Sequence, residues 1–433
     1  MKRIIVLLLA LGITFALIAG CSKKESGVTS GTGGGEKKIL EFWHIQTVDP
    51  APKFIEDAVK RFEAANPDFK VNITITANDS YKQKIAVAIA GNQMPDIFLS
   101  WTGGTTNEYV KAGKLADLTP YMNANNYKGK LLDAAVAQGT INGKIYGFPC
   151  ENVSIEGVFY NKELFAKYNI KVPATIAELE AACDTFKANG ITPFSLANMT
   201  KWTGMMYYQI LPARHAGLEP FAKAMDGNGT FEDPSFVWAA EKIQQWVRKG
   251  YFNDGFNGLD EDSGQSRILL YTDKCAMHMM GNWVVSNMFG ENPDYLKKMG
   301  FFNFPADETG TGNPKTIVGT IGDNFYHVAS TCKYPDKAFE MMTYLLDEQS
   351  VKERVAAGRI PPVKGITLTD PTLREVFAAV QDAPDVQLWY DQSLTPEVGD
   401  VMLSASQELF GLSITPQEFA RRWADAQTAS LKN

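Results

Sequence analysis

The chain has 433 residues, of which 45% are hydrophobic and 21% are charged, and its formal net charge is −7. Lys and Arg are scattered along the chain, which argues against a nucleic-acid-binding protein and against a polybasic membrane patch. The composition favours a small molecule as the partner.

The first residues predict an exported protein. A basic start precedes the apolar run 4–19, which is shorter than the roughly 20 residues that a membrane-spanning helix needs. Small residues stand directly before Cys21, as in a bacterial lipobox. We therefore predict a signal peptide over 1–20, lipid on Cys21, and a flexible Ser- and Gly-rich tether over 21–38.

Hydrophobic periodicity after the tether predicts a β-α-β-α-β unit. Its strands are expected at 39–45, 71–75 and 95–99, and its helices at 52–65 and 81–90. Such alternation implies a parallel sheet, whose ligands bind beyond the carboxyl ends of the strands. The residues expected at such ends are Trp43, His44 and Trp101.

The later part of the chain carries clear helix-start signals. Asn161 is expected to cap a helix, and Thr175 and Thr415 each precede a Glu by three residues, as in a capping box. Two apolar segments predict strands, one buried strand over 275–280 and a strand pair over 317–329. The breaks in that pair are expected at Gly319, Gly322 and Asp323.

Six short motifs in a fixed order give the chain a family resemblance. The motifs are Phe42-Trp43-His44, Met94-Pro95-Asp96-Ile97-Phe98, Gly113-Lys114-Leu115-Ala116-Asp117-Leu118, Tyr146-Gly147-Phe148-Pro149, Phe159-Tyr160-Asn161-Lys162 and Met280-Gly281-Asn282-Trp283. In these motifs and their order the chain resembles the extracellular solute-binding proteins (family 1) of carbohydrate ABC importers, in the branch that includes maltose-binding protein.

The resemblance implies an α/β, two-lobed periplasmic-binding-protein-like fold of type II. Its hinge has three interlobe crossings, the first expected near Cys150, and the ligand binds in the cleft between the lobes. Matching the motifs assigns 37–150 plus 277–324 to lobe one, and 151–276 plus 325–433 to lobe two. Ligand binding then favours the closed form, which the permease recognises.

A sugar receptor needs flat aromatic rings for the apolar face of the sugar and short polar side chains for its hydroxyl groups. Trp238, Trp246 and Trp423 lie in helical stretches and are expected in the core. The loop Thr102-Gly103-Gly104 after Trp101 is expected to let a ligand approach closely. Which of Trp389 and Tyr390 faces the cleft stays open. The candidate ligand-binding residues are Trp101, Trp283, Trp202, Trp389, Trp43, Glu151, Asp323, Asp391, His44 and Gln46.

Two other functions remain as alternatives. A secreted glycoside hydrolase would use the same aromatics with two opposed carboxylates, drawn from Glu151, Asp323 and Asp391. The same fold also serves receptors of non-sugar solutes and partners of sensors. A phosphate ligand would require Arg or Lys in the cleft motifs, and Lys201 is the only cation near them.

The resemblance favours a non-catalytic receptor without a cofactor. A metal site is not expected either, because the chain has four separated histidines and no CxxC spacing. A disulfide between Cys275 and Cys332 is left open. The receptor itself is expected to be a monomer. Its expected partners are the membrane-spanning subunits of an ABC permease, which work with a cytoplasmic ATPase. The expected location is the outer face of the cell membrane, or the periplasm of a Gram-negative host.

Overall fold

The computed structural model describes residues 36–432. The predicted signal peptide, Cys21 and most of the predicted tether lie outside these residues. Among the residues described, no helix is long and apolar enough to cross a membrane. The strands are β1 Lys38–His44, β2 Phe69–Ile75, β3 Ile97–Ser100, β4 Thr140–Ile141, β5 Lys144–Ile145, β6 Phe148–Pro149, β7 Asn152–Asn161, β8 Thr192–Phe194, β9 Cys275–Gly281, β10 Met299–Phe302, β11 Ile317–Gly322, β12 Phe325–Val328 and β13 Val386–Gln387.

Helices cover much of the rest of the described chain. Short 3₁₀-helices occur at Ala124–Lys130, Asn198–Thr200, Phe256–Gly258 and Pro293–Lys297. The α-helices are α1 Ala51–Ala65, α2 Asn78–Ala90, α3 Gly104–Lys111, α4 Thr119–Asn123, α5 Asp133–Gln138, α6 Lys162–Lys167, α7 Ile176–Ala188, α8 Trp202–Ala216, α9 Glu219–Met225, α10 Pro234–Lys249, α11 Gln265–Tyr271, α12 Trp283–Glu291, α13 Pro335–Tyr344, α14 Glu348–Ala356, α15 Pro371–Asp382, α16 Tyr390–Ser393, α17 Pro396–Phe410 and α18 Pro416–Ser430.

The first sheet has the strand order β2-β1-β3-β12-β6. β1 pairs in parallel with β2 and with β3, and α1 and α2 connect these strands, which confirms the predicted β-α-β-α-β unit. Leu40 and Phe42 of β1 share a core with Phe62 of α1 and Ile85 of α2. The carboxyl ends of β1 and β3 therefore lie side by side at one edge of this sheet.

The second sheet has the order β13-β11-β7-β9-β8, and β10 also pairs with β7. Nine of the ten residues of β7 are buried, so this central strand is covered on both faces. Helices α7, α8, α10, α17 and α18 all contribute buried residues to the core around this sheet. This sheet and its helices form the larger of the two cores.

The chain passes between the two sheets three times. It leaves the first sheet after β6 at Pro149 to enter β7, and it returns between β11 and β12 through Asp323. The third passage follows α14. Before it, Ser350 of α14 accepts a hydrogen bond from Arg61 of α1, which packs on the first sheet. After it, the N–H of Ile360 donates to Oδ1 of Asn152, in β7 of the second sheet, at 2.6 Å. We call 36–149 with 325–356 lobe one, and 152–322 with 360–432 lobe two.

The predicted lobe boundaries after residue 276 are wrong. Residues 277–324, predicted for lobe one, contain β10, β11 and nearly all of β9, and these strands pair with β7 in lobe two. Residues 325–356, predicted for lobe two, supply β12 and α13 to lobe one. These strands are fully buried and apolar on both faces, so nothing in their own sequence indicates which distant strand they join.

Most local signals were predicted correctly. Asn161, Thr175 and Thr415 accept hydrogen bonds from the first turns of α6, α7 and α18, which confirms the predicted caps. The break between β11 and β12 lies at Gly322 and Asp323, whose φ values are 133° and 56°. The predicted break at Gly319 is wrong, because that residue lies inside β11.

Candidate functional site

A cleft opens between the two lobes beyond the carboxyl ends of β1 and β3. The space between its walls, counted with the open solvent at its mouth, is about 1070 Å³. Seven of the ten residues predicted to bind a ligand line this cleft. They are Gln46, Trp101, Trp202, Trp283, Asp323, Trp389 and Asp391.

Three tryptophans of lobe two form a continuous aromatic surface, which we call the tryptophan platform. The ring centroid of Trp283 lies 6.1 Å from that of Trp202 and 5.8 Å from that of Trp389, with interplanar angles of 60° and 58°. The ring of Trp283 lies over Gly281, where the Cβ of any other residue would overlap the indole. Gly281 therefore allows Trp283 to lie back against the end of β9.

Asn282 holds the backbone under this platform. Its Oδ1 accepts from the N–H of Ile155 at 2.8 Å, and its Nδ2 donates to the carbonyl of Val153 at 2.9 Å. The side chain is fully buried. Asn282 therefore fixes the end of β9 to β7, and Trp283 begins α12 from a rigid position.

The structure answers which of Trp389 and Tyr390 faces the cleft. Both side chains are almost fully buried, but Trp389 lines the cleft, whereas Tyr390 stacks on Phe221 with centroids 4.1 Å apart and an interplanar angle of 11°. The backbone N–H of Tyr390 donates to Gln209 Oε1 at 3.0 Å. Gln209 in turn donates to Glu156, and burial raises the pKa of Glu156 well above the usual value.

Trp101 lines the cleft from lobe one, directly after β3. Its ring meets Tyr81 edge-on at 6.2 Å, and the ammonium of Lys82 lies 5.2 Å from its centroid. Tyr81 donates to the carbonyl of Leu99 at 2.7 Å, so this aromatic pair is anchored to β3 itself. The position of Trp101 therefore follows from the strand that precedes it.

The loop after Trp101 has a different role from the one predicted. A Cβ at Gly103 would overlap the carbonyl of Gln392, and a Cβ at Gly104 would overlap that of Leu394. Gln392 and Leu394 belong to lobe two. The two glycines therefore permit a close approach of the lobes to each other.

Further contacts join the lobes across the cleft. The N–H of Asp79 in lobe one donates to Asp262 Oδ2 in lobe two at 3.3 Å. Lys82 Nζ lies 3.9 Å from Asp391 Oδ2. With the contact at Gly104, these show that the structure holds the lobes in a closed arrangement.

Glu151 does not line the cleft, so its predicted ligand role is wrong. Its Oε1 accepts from Tyr326 at 2.7 Å, and its Oε2 accepts from Arg359 at 2.7 Å and Arg354 at 3.1 Å. Burial acts to raise the pKa of Glu151, but the two arginines outweigh it and hold that pKa below the usual value. These four side chains, the hinge cluster, come from all three crossings.

Two more predicted residues lie away from the cleft lining. His44 is fully buried, its Nδ1 accepts from the N–H of Gln46 at 3.2 Å, and burial lowers its pKa to about 4. Trp43 packs against the core of lobe one, with Lys84 Nζ 4.1 Å from its ring centroid. Both were chosen because β1 ends there, but the chain reaches the cleft only at Ile45.

Asp323 lines the cleft at the second crossing, as predicted. Burial, with a further contribution from Glu151, raises the pKa of Asp323 to about 7. Burial also raises the pKa of Asp391, against the opposing effect of Lys82. These carboxyls face a poorly hydrated space and can accept hydrogen bonds from a ligand.

The comparison with protein families decides which group this chain belongs to. The family model for the bacterial extracellular solute-binding protein matches residues 46–352, which is more than half of the chain. The chain belongs to the bacterial extracellular solute-binding proteins. The predicted family is thereby confirmed.

This solute-binding protein is similar to several characterised chains. It is 24% identical over 363 residues to the multiple sugar-binding protein of Streptococcus mutans, covering 82% of this chain and 81% of that one. A solved structure from work on xylan utilization by Caldanaerobius polysaccharolyticus is 32% identical, with a TM-score of 0.84, covering 90% and 99% of the two chains. A chitin oligosaccharide binding protein is 26% identical, also with a TM-score of 0.84, covering 91% and 99%.

Several residues that line the cleft of this solute-binding protein were not predicted. Asn78 and Lys82 lie in the first turns of α2, where the sequence predicted only a helix over 81–90. The others stand in segments without a recognised motif, so sequence patterns gave no reason to select them. They are Asp262, Arg267, Asn287, Arg359 and Gln392.

Proposed function

We propose that this protein captures an oligosaccharide in the interlobe cleft and delivers it to an ABC importer. The observation that carries the proposal is the tryptophan platform, which lies beside carboxylate and amide groups in the same cleft. The sugars named for its relatives in S. mutans and in the chitin-binding structure support a carbohydrate ligand.

The chemistry of the cleft suits a sugar ring. Indole faces pack against the C–H face of a pyranose, and they lose little conformational entropy because tryptophan has only two side-chain torsions. The hydroxyl rim needs acceptors and donors, which Asp323, Asp391 and Gln392 supply. Within the residues described, the indole N–H of Trp202 and Gln392 Oε1 are buried without a hydrogen-bond partner in the protein.

Ligand capture works through closure of the hinge. Only the closed form gives a ligand contacts with Trp101 of lobe one and with the tryptophan platform of lobe two together. A ligand therefore favours that form by its differential affinity for the two states. We propose that the closed monomer is the form that docks on the membrane-spanning permease subunits.

The anchor proposed for this receptor is lipid on Cys21. It would keep the protein at the outer face of the membrane, near its permease, while the tether over 21–38 lets the lobes reorient. Cys21→Ala is expected to move the protein into the soluble fraction of cells with its sugar affinity unchanged. Retention at the membrane, or lost sugar binding, would contradict this separation of anchor and site.

We propose binding without cleavage. Of the three carboxylates considered for a hydrolase, Glu151 is held by the hinge cluster and is not part of the cleft lining. The family is one of solute-binding proteins. Chromatography of oligosaccharides after long incubation with the protein should recover them intact, and release of shorter sugars would instead support a glycoside hydrolase.

The ligand class is tested by a panel of xylo-, cello-, malto-, chitin- and raffinose-series oligosaccharides. A ligand present at 100 times its dissociation constant stabilises the folded state by about 2.7 kcal/mol. At least one neutral oligosaccharide should therefore raise the melting temperature and show saturable binding by calorimetry. If only phosphorylated, peptide or polyamine ligands raise it, the proposed carbohydrate function is wrong.

A further inference from the structure

The charged side chains of the cleft carry information about the ligand that the aromatic rings do not. The cations in the lining are Lys82, Arg267 and Arg359. Their presence overturns the expectation that Lys201 is the only nearby cation, and Lys201 itself donates to Ser404 at 3.1 Å. The question is which of these charges is free to meet a ligand.

Both arginines are occupied by the protein. Arg267 donates from Nε and Nη2 to Glu291, and from Nη1 to Glu261. Arg359 donates from Nη1 to Glu151, from Nη2 to Gln46 at 2.8 Å, and from Nε to a serine hydroxyl at 3.4 Å. Each guanidinium nitrogen thus has a protein acceptor, so neither arginine has a pair of N–H donors left for bidentate binding of an anion.

Lys82 is the remaining cation of the cleft lining. Its ammonium stands between Asp391, at 3.9 Å, and the ring of Trp101, at 5.2 Å from the centroid. Its charge is therefore only partly balanced, by a carboxylate of the opposite lobe at the outer limit of an ion pair. An anionic ligand would have to compete with Asp391 for it.

Two carboxyl groups of the cleft have no cation in direct contact. Among residues 36–432, no Lys, Arg or His nitrogen lies within 4.0 Å of the carboxyl oxygens of Asp262 or Asp323. Asp262 accepts from the N–H of Asp79, which adds a further carboxyl at the same place. Burial raises the pKa of Asp262 and Asp79 raises it further, while Lys82 opposes them, so the negative charge here is only partly compensated.

We infer that this cleft selects uncharged saccharides and rejects those that carry a carboxylate, sulfate or phosphate. The inference rests on the proposed function and names the sugar class that the site takes. The hydroxyl groups of a neutral sugar donate to Asp262, Asp323 and Asp391. In the described lining an anionic group loses its hydration, finds as its available cation only Lys82, which already faces Asp391, and meets these carboxyls.

The size of the discrimination follows from Coulomb's law. Two like charges about 6 Å apart at an effective dielectric constant of about 20 lower the affinity by roughly 100-fold. Replacing Asp262 or Asp323 by Asn removes one of these charges and keeps an acceptor oxygen. Asp262→Asn should therefore narrow the difference in affinity between neutral and anionic ligands by about tenfold or more. Asp323→Asn should narrow it by less, because the pKa of Asp323 is about 7 and this carboxyl can take up a proton beside an anion.

The test compares the neutral oligosaccharide that binds most tightly in the panel with the same oligosaccharide carrying one uronate. Calorimetry at pH 7.5 and low salt gives both dissociation constants for the wild type, Asp262→Asn and Asp323→Asn. Asp294→Asn is the matched control, because Asp294 is an exposed acid paired with Lys297 and is not part of the cleft lining. It should leave the ratio of the two constants unchanged.

The wild type should bind the uronate about 100-fold more weakly than the neutral sugar, and both cleft variants should narrow that ratio. Uronate binding as tight as neutral binding overturns the inference. A wide ratio that neither cleft variant changes also overturns it, since the rejection would then come from shape. If no saccharide binds at all, the proposed function fails, which is a different result from tight binding of a uronate.

Discussion

The hinge cluster offers the sharpest test of how the lobes are joined. Glu151→Gln keeps the size of the side chain but removes the negative charge that Arg354 and Arg359 share. Both guanidinium groups are buried, and removing the partner of a buried charge costs about 3–5 kcal/mol. Tyr326 also loses its charged acceptor.

The loss can be expressed as a melting temperature. Unfolding entropies of about 2.1 cal/mol/K per residue give roughly 0.8 kcal/mol/K for a chain of this size. Glu151→Gln should therefore lower the melting temperature by about 4–6 °C in differential scanning calorimetry. Asp294→Asn, which breaks an exposed ion pair with Lys297, is the control and should not shift it measurably. A Glu151→Gln protein that melts within 1 °C of the wild type would refute this account of the hinge, in which about 3–5 kcal/mol is expected.

Three further outcomes follow from single positions. Gly104→Ala should weaken sugar binding by about tenfold or more, because the added Cβ would overlap the Leu394 carbonyl in the closed form. Gly258→Ala is the control, since nothing lies within 4 Å of a Cβ there, and it should not change the affinity. Equal affinities of the two variants in calorimetry would contradict this prediction. Asp323 has a folded-state pKa of about 7, above its unfolded value, so its contribution to stability is lost as pH rises through 7. Between pH 5.5 and 8, the melting temperature of Asp323→Asn should therefore fall less than that of the wild type. Asn282→Ala should cost about 2–4 kcal/mol in urea unfolding because two buried backbone groups of β7 lose their partner, and an unchanged midpoint would count against that role.

The sequence was most informative where the signal is local. The alternating strands and amphipathic helices of the first unit, and the caps at Asn161, Thr175 and Thr415, depend on residues close together in the chain. Trp101 and Trp283 follow buried strands directly, so their place at the cleft could be inferred from strand ends.

The misses have a common physical origin in long-range contacts. β9 and β11 pair with β7, more than a hundred residues earlier in the chain, and their apolar sequences would fit either sheet. Glu151 stands beside a strand end, as a ligand-binding acid would, but Arg354 and Arg359, about 200 residues later, occupy its carboxylate. Pairings at such separation cannot be read from periodicity or motif spacing.

The central claim is that a sugar binds on the tryptophan platform, and one titration tests it most directly. The tightest neutral oligosaccharide of the panel is titrated into the wild type, Trp283→Ala and Trp238→Ala. Trp238 stacks on His215 away from the cleft lining and serves as the control. The account predicts that Trp283→Ala loses about 2 kcal/mol of binding free energy, roughly a 30-fold weaker affinity, while Trp238→Ala binds like the wild type. Wild-type affinity in Trp283→Ala would contradict it.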